Sequence, residues 1–216
     1  MFFKETVDSE LFKLAKEICK HPVMQKFVLV GGTALSLQIG HRKSVDIDMF
    51  SVEDFDAREI EQKLQEDFGY FTNVLLKNGL MGTIRNIKTD IIAHQYKWVH
   101  PVLEIEGIRM ASLADIAAMK LNAIMGNGSR LKDFIDIAFL SSYFSFQQML
   151  DFFEMKYPNN NSMMALKSIY YFDDIDFDVE IMYQHTPLSW DTIKSRIISM
   201  VKDPGHVFSE ISHVQS

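Results

Sequence analysis

The sequence predicts an α+β fold, with a mixed sheet flanked by helices over residues 1–111 and a mainly helical region over residues 112–216. Three observations carry that reading. Short apolar and β-branched runs alternate with amphipathic stretches as far as Met110, with turn residues between them. Gly31-Gly32 follows the apolar run Phe27–Val30, the composition of a strand that turns tightly into a helix. From Ser112 to Tyr157 the apolar residues recur at helical spacing almost without a break.

Taken in order, residues 9–20 read as a helix because Leu11, Leu14, Ala15 and Ile18 share one face. Phe27–Val30 reads as a short buried strand, Thr33–Ile39 as a helix, Val45–Phe50 as the next strand and Ala57–Gly69 as a helix. Strands are expected over 72–77 and 82–93, with Asn78-Gly79 supplying turn chemistry. Val102–Ile105 and Ile108–Met110 flank the Glu106-Gly107 turn. Ser112 is a plausible helix N-cap with Asp115 three residues on, and Tyr157–Asn161 is the clearest linker.

A net charge of −7 argues against broad coating of nucleic-acid phosphates, yet it leaves room for a local basic site on one nucleotide or one RNA end. Cys19 is the only cysteine, which excludes an internal disulfide and fits a reducing compartment; its place beside Ile18 suits helix packing. The N-terminal residues Lys4, Glu5 and Asp8 do not resemble a signal peptide, and no apolar run is long enough to span a membrane. A cytoplasmic protein with no membrane partner is expected.

The chemistry concentrates around the glycine pair. Only glycine lets backbone N–H groups come close to a phosphate at a helix N-terminus. Asp46 and Asp48 alternate with Ile47 and Met49, so a strand would place both carboxylates on one face, where they can share a divalent metal. Asp90 is the best third ligand, since it lies inside the strand-like Ile87–Ile92, where an uncompensated charge is costly. Paired divalent ions, about 3.5–4 Å apart in such sites, activate an attacking hydroxyl and stabilise a leaving pyrophosphate.

Lys120 falls inside the apolar stripe Leu113, Ile116, Ala117, Leu121 and Ile124. Such a lysine must snorkel, pair with an acid of the chain, or meet an outside anion; a triphosphate contact is the expectation here. Arg130, Lys132, Asp133 and Asp136 open the next, otherwise apolar helix, with the two aspartates on one face. Helix-start dipole complementarity would also account for them. Asp174, Asp176 and Asp178 begin like a calcium loop, but Val179 replaces the turn glycine and His185 the twelfth-position glutamate, so a solvated acidic loop is expected.

The run Val30–Phe50, with Gly-Gly-Thr-Ala-Leu and then His41-Arg42-Lys43-Ser44-Val45-Asp46-Ile47-Asp48, resembles the nucleotidyltransferases of the AbiEii/AbiGii toxin family, within the polymerase-beta-like superfamily. Ser112–Ala123, Gly128–Asp136, Tyr171–Asp174 and Ser189–Asp191 extend the resemblance over roughly residues 25–200. It implies a polymerase-beta-like core followed by a helical domain closing the active-site cleft. It implies a metal-dependent transfer of a nucleoside monophosphate from an NTP to a hydroxyl acceptor, with Mg²⁺ or Mn²⁺ as cofactor.

By that resemblance Asp46, Asp48 and Asp90 hold the metal, and Lys120 and Asp133 match functional positions of the helical half. The expected nucleotide-binding set is Gly31, Gly32, Thr33, Ser44, Lys120, Arg130 and Lys132. Asn127 departs from the basic residue expected just before Gly128. The implied role is the toxin of a bacterial toxin–antitoxin or phage-defence pair, with a tRNA 3′ end as acceptor and a cognate antitoxin protein as partner. The rival readings are nucleotidylation of a small molecule or a protein, and a nucleotide-binding protein without turnover.

Overall fold

The computed structural model describes residues 2–185 and 187–211. It divides into two compact units, residues 1–112 and 113–216.

The first unit contains seven strands and three α-helices. These are α1 (Ser9–Lys20), β1 (Val28–Leu29), α2 (Gly31–Ile39), β2 (Ile47–Ser51), α3 (Ala57–Phe68), β3 (Phe71–Leu76), β4 (Gly79–Ile84), β5 (Ile87–Ala93), β6 (Leu103–Ile105) and β7 (Ile108–Met110). The strands form one mixed sheet in the order β3-β4-β5-β2-β1-β7-β6. Strand β2 is central, antiparallel to β1 and parallel to β5.

Local chemistry explains the boundaries. The Asp8 carboxylate accepts from the Glu10 N–H to cap α1, whose buried face is Leu11, Leu14, Ala15, Ile18 and Cys19. Burial pushes the Cys19 thiol pKa up, so it packs as a small apolar residue. Asp56 caps α3 through the Arg58 and Glu59 N–H groups, and Gly69 ends that helix at φ +70°. Arg109, on β7, donates to the carbonyls of Cys19, Met24 and Phe27 and so ties the turn after α1 to the sheet.

Several boundaries differ from the sequence reading. Strand β2 begins at Ile47, not Val45, and α2 begins at the glycines themselves. The strand expected over 82–93 is two strands joined at Arg85-Asn86, both with positive φ (51° and 64°). Paired positive φ values suit a two-residue hairpin turn. Asparagine signals such a turn, but arginine does not, which hid it.

The second unit contains α4 (Leu113–Gly126), α5 (Leu131–Leu140), α6 (Phe146–Lys156), α7 (Ser162–Ile169) and α8 (Trp190–Lys202). Ser145 and Gln148 form a capping box on α6, and the linker residue Asn161 caps α7. Phe172 and Trp190 meet edge-on at 5.5 Å, and both lie against Phe134 of α5. No helix of the described residues is long and apolar enough to cross a membrane.

A buried ion pair holds this helical unit. Lys156 Nζ on α6 lies 2.8 Å from Asp115 Oδ1 on α4, with both side chains wholly inaccessible. Burial draws the Lys156 pKa below its ordinary value, while the Asp115 hydrogen bond and charge oppose that shift. Removing one partner strands a buried charge. Lys156→Ala is therefore expected to cost about 3–5 kcal/mol in urea unfolding, while Lys156→Met with Asp115→Leu should recover most of the loss.

Candidate active site

A backbone hydrogen bond sets the site: the Val30 N–H donates to the Asp48 carbonyl at 2.9 Å, joining the end of β1 to β2. The chain then enters α2 through Gly31 at φ +68°, a conformation that favours glycine. A Cβ on Gly31 would lie 2.6 Å from Asp48 Oδ2. The glycine thus brings the start of α2 directly against the acidic side chain, which would have to shift to admit a Cβ.

Gly32 does the same for a cation. A Cβ there would lie 2.6 Å from Arg42 Nη2 and 3.3 Å from Ser44 Oγ. Arg42 is buried, and its Nη1 donates to the Lys43 carbonyl. Thr33 Oγ1 lies 2.8 Å from Ser44 Oγ and also hydrogen-bonds the Asp46 carbonyl. The segment ahead of β2 is therefore laced to the first turn of α2. Helix N–H groups, a guanidinium and two hydroxyls converge there, which is the chemistry a phosphate needs.

The acids follow from strand register. Residues Ile47, Met49 and Ser51 of β2 are buried, whereas Asp48 and Phe50 take the other face. Asp48 stands directly opposite Asp90 on the parallel strand β5. Asp46 is half-buried, one residue ahead of β2, and Asp90 is 6% exposed. Lys88 Nζ lies 2.9 Å from Asp90 Oδ2. Asp90 Oδ1 is buried with no hydrogen-bond partner among the described residues. The Asp90 hydrogen bond raises the Lys88 pKa, burial opposes this, and the charges of Asp90, Asp48 and Asp46 raise it further. All three carboxylates therefore act on one ammonium.

Among the described residues, no three His, Cys, Asp or Glu side chains gather as a ready-made metal site. The donor type still fits a hard divalent cation: carboxylate oxygens, one of them buried and orphaned, on adjacent strands. Below this face, Tyr70 OH donates to the Thr89 carbonyl at 3.0 Å, and burial followed by the Asp90 charge pushes the phenol pKa up.

In the helical unit, Lys120 is buried and has protein anions on two sides. Its Nζ lies 2.6 Å from Asp133 Oδ1 and 2.7 Å from Asp136 Oδ2. The two aspartates share one face of α5, as their spacing required, and aim at α4 instead of capping their own helix. Arg130 Nε lies 3.5 Å from Asp133 Oδ2, while the Arg130 side chain is largely exposed. Lys132 is half-buried.

Asn127 Oδ1 accepts from Ser129 N and Ser129 Oγ, bracing the loop between α4 and α5. That loop borders a cleft of about 600 Å³ with Lys167, Tyr171 and Asp174. The acidic loop engages the same segment, since the Asp176 N–H donates to the Ser129 carbonyl.

Sequence reasoning missed Arg42 and Lys88 as site residues. Arg42 stood four residues before Asp46, and Lys88 shares the face of Asp90 by simple alternation; both signals were available.

A central mixed sheet with a glycine turn set against an acidic strand defines a nucleotidyltransferase fold of the polymerase-beta-like type. Two Helicobacter pylori crystal structures share it. One, described as a candidate nucleotidyltransferase, gives a TM-score of 0.53 at 18% identity, covering 89% of this chain and 91% of that one. The other, JHP933, gives 0.50 at 16% identity, covering 94% of this chain and 92% of that one. The uncharacterized protein aq_aa25 of Aquifex aeolicus (strain VF5) is 29% identical over 191 residues, 84% of this chain and 89% of its own. The chain belongs to the nucleotidyl transferase AbiEii toxin family of type IV toxin–antitoxin systems, whose model matches residues 13–100 and 86–211.

Gly31→Ala is expected to cost about 1–2 kcal/mol, because it adds a Cβ at positive φ and drives it into Asp48. Gly126→Ala, where a Cβ would meet nothing within 4 Å, should leave stability within about 0.5 kcal/mol. Urea unfolding of the two variants checks the contrast.

Proposed function

We propose that this protein is a metal-dependent nucleotidyltransferase that moves a nucleoside monophosphate from an NTP to a hydroxyl acceptor, acting as the toxin of a toxin–antitoxin pair. The observation that carries this reading is the abutment of Gly31 on Asp48, with Arg42 and Ser44 against Gly32. One short segment thereby offers anion-binding groups beside carboxylates, and a metal–triphosphate substrate needs both.

In the proposed reaction the acceptor hydroxyl oxygen bonds to the α-phosphorus, the α–β bridging P–O bond breaks, pyrophosphate leaves and the hydroxyl proton passes to a carboxylate. Asp46, Asp48 and Asp90 would hold Mg²⁺ or Mn²⁺, which supplies positive charge to the α-phosphoryl group and the leaving pyrophosphate. The α2 N–H groups, Thr33, Ser44 and the Arg42 guanidinium would bind and orient the triphosphate.

Lys120 and Asp133 are carried by the family membership as proposed functional residues of the helical unit, with Arg130 and Lys132 near them in sequence. The ion pairs of Lys120 set a condition on testing this. Truncating Lys120 removes a buried cation from Asp133 and Asp136, which are 1% and 0% exposed, so an inactive Lys120 variant informs on catalysis only if its unfolding curve is intact. The family membership supports the toxin role and a cognate antitoxin as partner; the 3′ end of tRNA is the acceptor we propose.

Transfer from each of four α-labelled NTPs to bulk tRNA, with Mg²⁺ present, tests the reading. Label on RNA that falls at least ~10³-fold in Asp46→Ala/Asp48→Ala protein is the expected result, since several kcal/mol of transition-state charge stabilisation would be lost. Labelling equal in the double variant would refute it.

A further inference from the structure

On the face of the sheet that carries the acids, strands β2 and β5 run parallel with Ile47 opposite Thr89 and Asp48 opposite Asp90. Alternation along β5 keeps Lys88 on the face of Asp90. Asp46 lies one residue ahead of β2, and its charge acts on the Lys88 ammonium together with those of Asp90 and Asp48. One ammonium thus serves an array of three carboxylates.

Like charges directly opposite on neighbouring strands destabilise a sheet. Asp48 and Asp90 are such a pair, and Asp90 is nearly buried. Lys88 Nζ lies 2.9 Å from Asp90 Oδ2. Its own side chain is 58% exposed, so it reaches inward from the rim and can leave without breaking the core. It takes only one of the two Asp90 oxygens, and the other is buried without a hydrogen bond.

We infer that Lys88 is a resident counter-ion that competes with the divalent cation for the Asp46, Asp48 and Asp90 carboxylates and so sets the metal affinity of the site. This rests on the metal-binding reading proposed above. Lys88 acts through the carboxylates and is not a catalytic residue. Its ammonium neutralises part of the array when metal is scarce, and a divalent ion must displace it from Asp90 to gain that oxygen. A neutral side chain at position 88 would remove both the competition and the repulsion.

Mn²⁺ titration of the full chain, followed by the electron paramagnetic resonance signal of free Mn²⁺, tests this without any turnover. Lys88→Gln should bind Mn²⁺ about 3–10-fold more tightly than the parent protein, the range expected for losing a partly exposed ion pair and a nearby positive charge. The metal-free variant should also melt at a lower temperature, with a larger Mn²⁺-induced rise. Lys88→Arg, which keeps the charge, should stay within about twofold of the parent. Lys63→Gln, which removes a surface lysine paired with Glu66, controls for general charge. Equal or weaker Mn²⁺ binding by Lys88→Gln overturns the inference alone. Absence of Mn²⁺ binding in both parent and variant overturns it together with the metal-dependent reading.

Discussion

The Val30 N–H to Asp48 carbonyl bond is where chain direction, sheet order and chemistry meet. Because β1 pairs antiparallel with β2, this bond brings the turn leaving β1 alongside the strand that carries the acid. The turn then has to be glycine: φ is positive, and the space a side chain would need is filled by Asp48. Because β2 pairs on its other edge with β5, the same residue faces Asp90. A single residue thus abuts the start of a helix and stands opposite a second acidic residue on β5. Moving β2 by one residue would turn Asp48 into the core and Met49 outward, and the site would cease to exist.

Both units use the same device to keep carboxylates inside protein. Lys88 answers Asp90 in the sheet, Lys120 answers Asp133 and Asp136, and Lys156 answers Asp115. The three differ in burial, and that difference sorts their roles. Lys156 is sealed with its partner and acts as a structural pin. Lys120 is almost as deeply buried but serves two acids, so any change there reaches stability before function. Lys88 alone stands at the surface, where exchange for another cation is inexpensive. Lysine suits that position because its ammonium is a compact charge on a flexible stem.

Much of this was legible in the sequence because the decisive signals are local. The glycine pair, the Asp46-x-Asp48 alternation and the helical stripe of α4 each declare themselves within a dozen residues. Asp90 could be singled out as a charge in a strand-like run, although nothing nearby revealed its partner on β2. What stayed hidden depends on contacts between distant segments. Lys120 reads as a cation in want of an anion, and the two carboxylates that satisfy it lie on the following helix. Lys156 and Asp115 are 41 residues apart, and neither is unusual in its own helix. The Arg85-Asn86 turn was missed for a different reason, since arginine seldom takes a positive φ and the apolar pattern ran on through it.

We propose that the β1–α2 turn and the β2–β5 acid face form one site for a metal-bound triphosphate. Crystals grown with Mn²⁺ and a non-hydrolysable NTP analogue test it most directly, because manganese can be located by its anomalous signal. Manganese density bounded by Asp48 and Asp90, with the triphosphate against the first turn of α2, is the expected result. Manganese and nucleotide bound elsewhere, with Asp48 and Asp90 untouched, would contradict it.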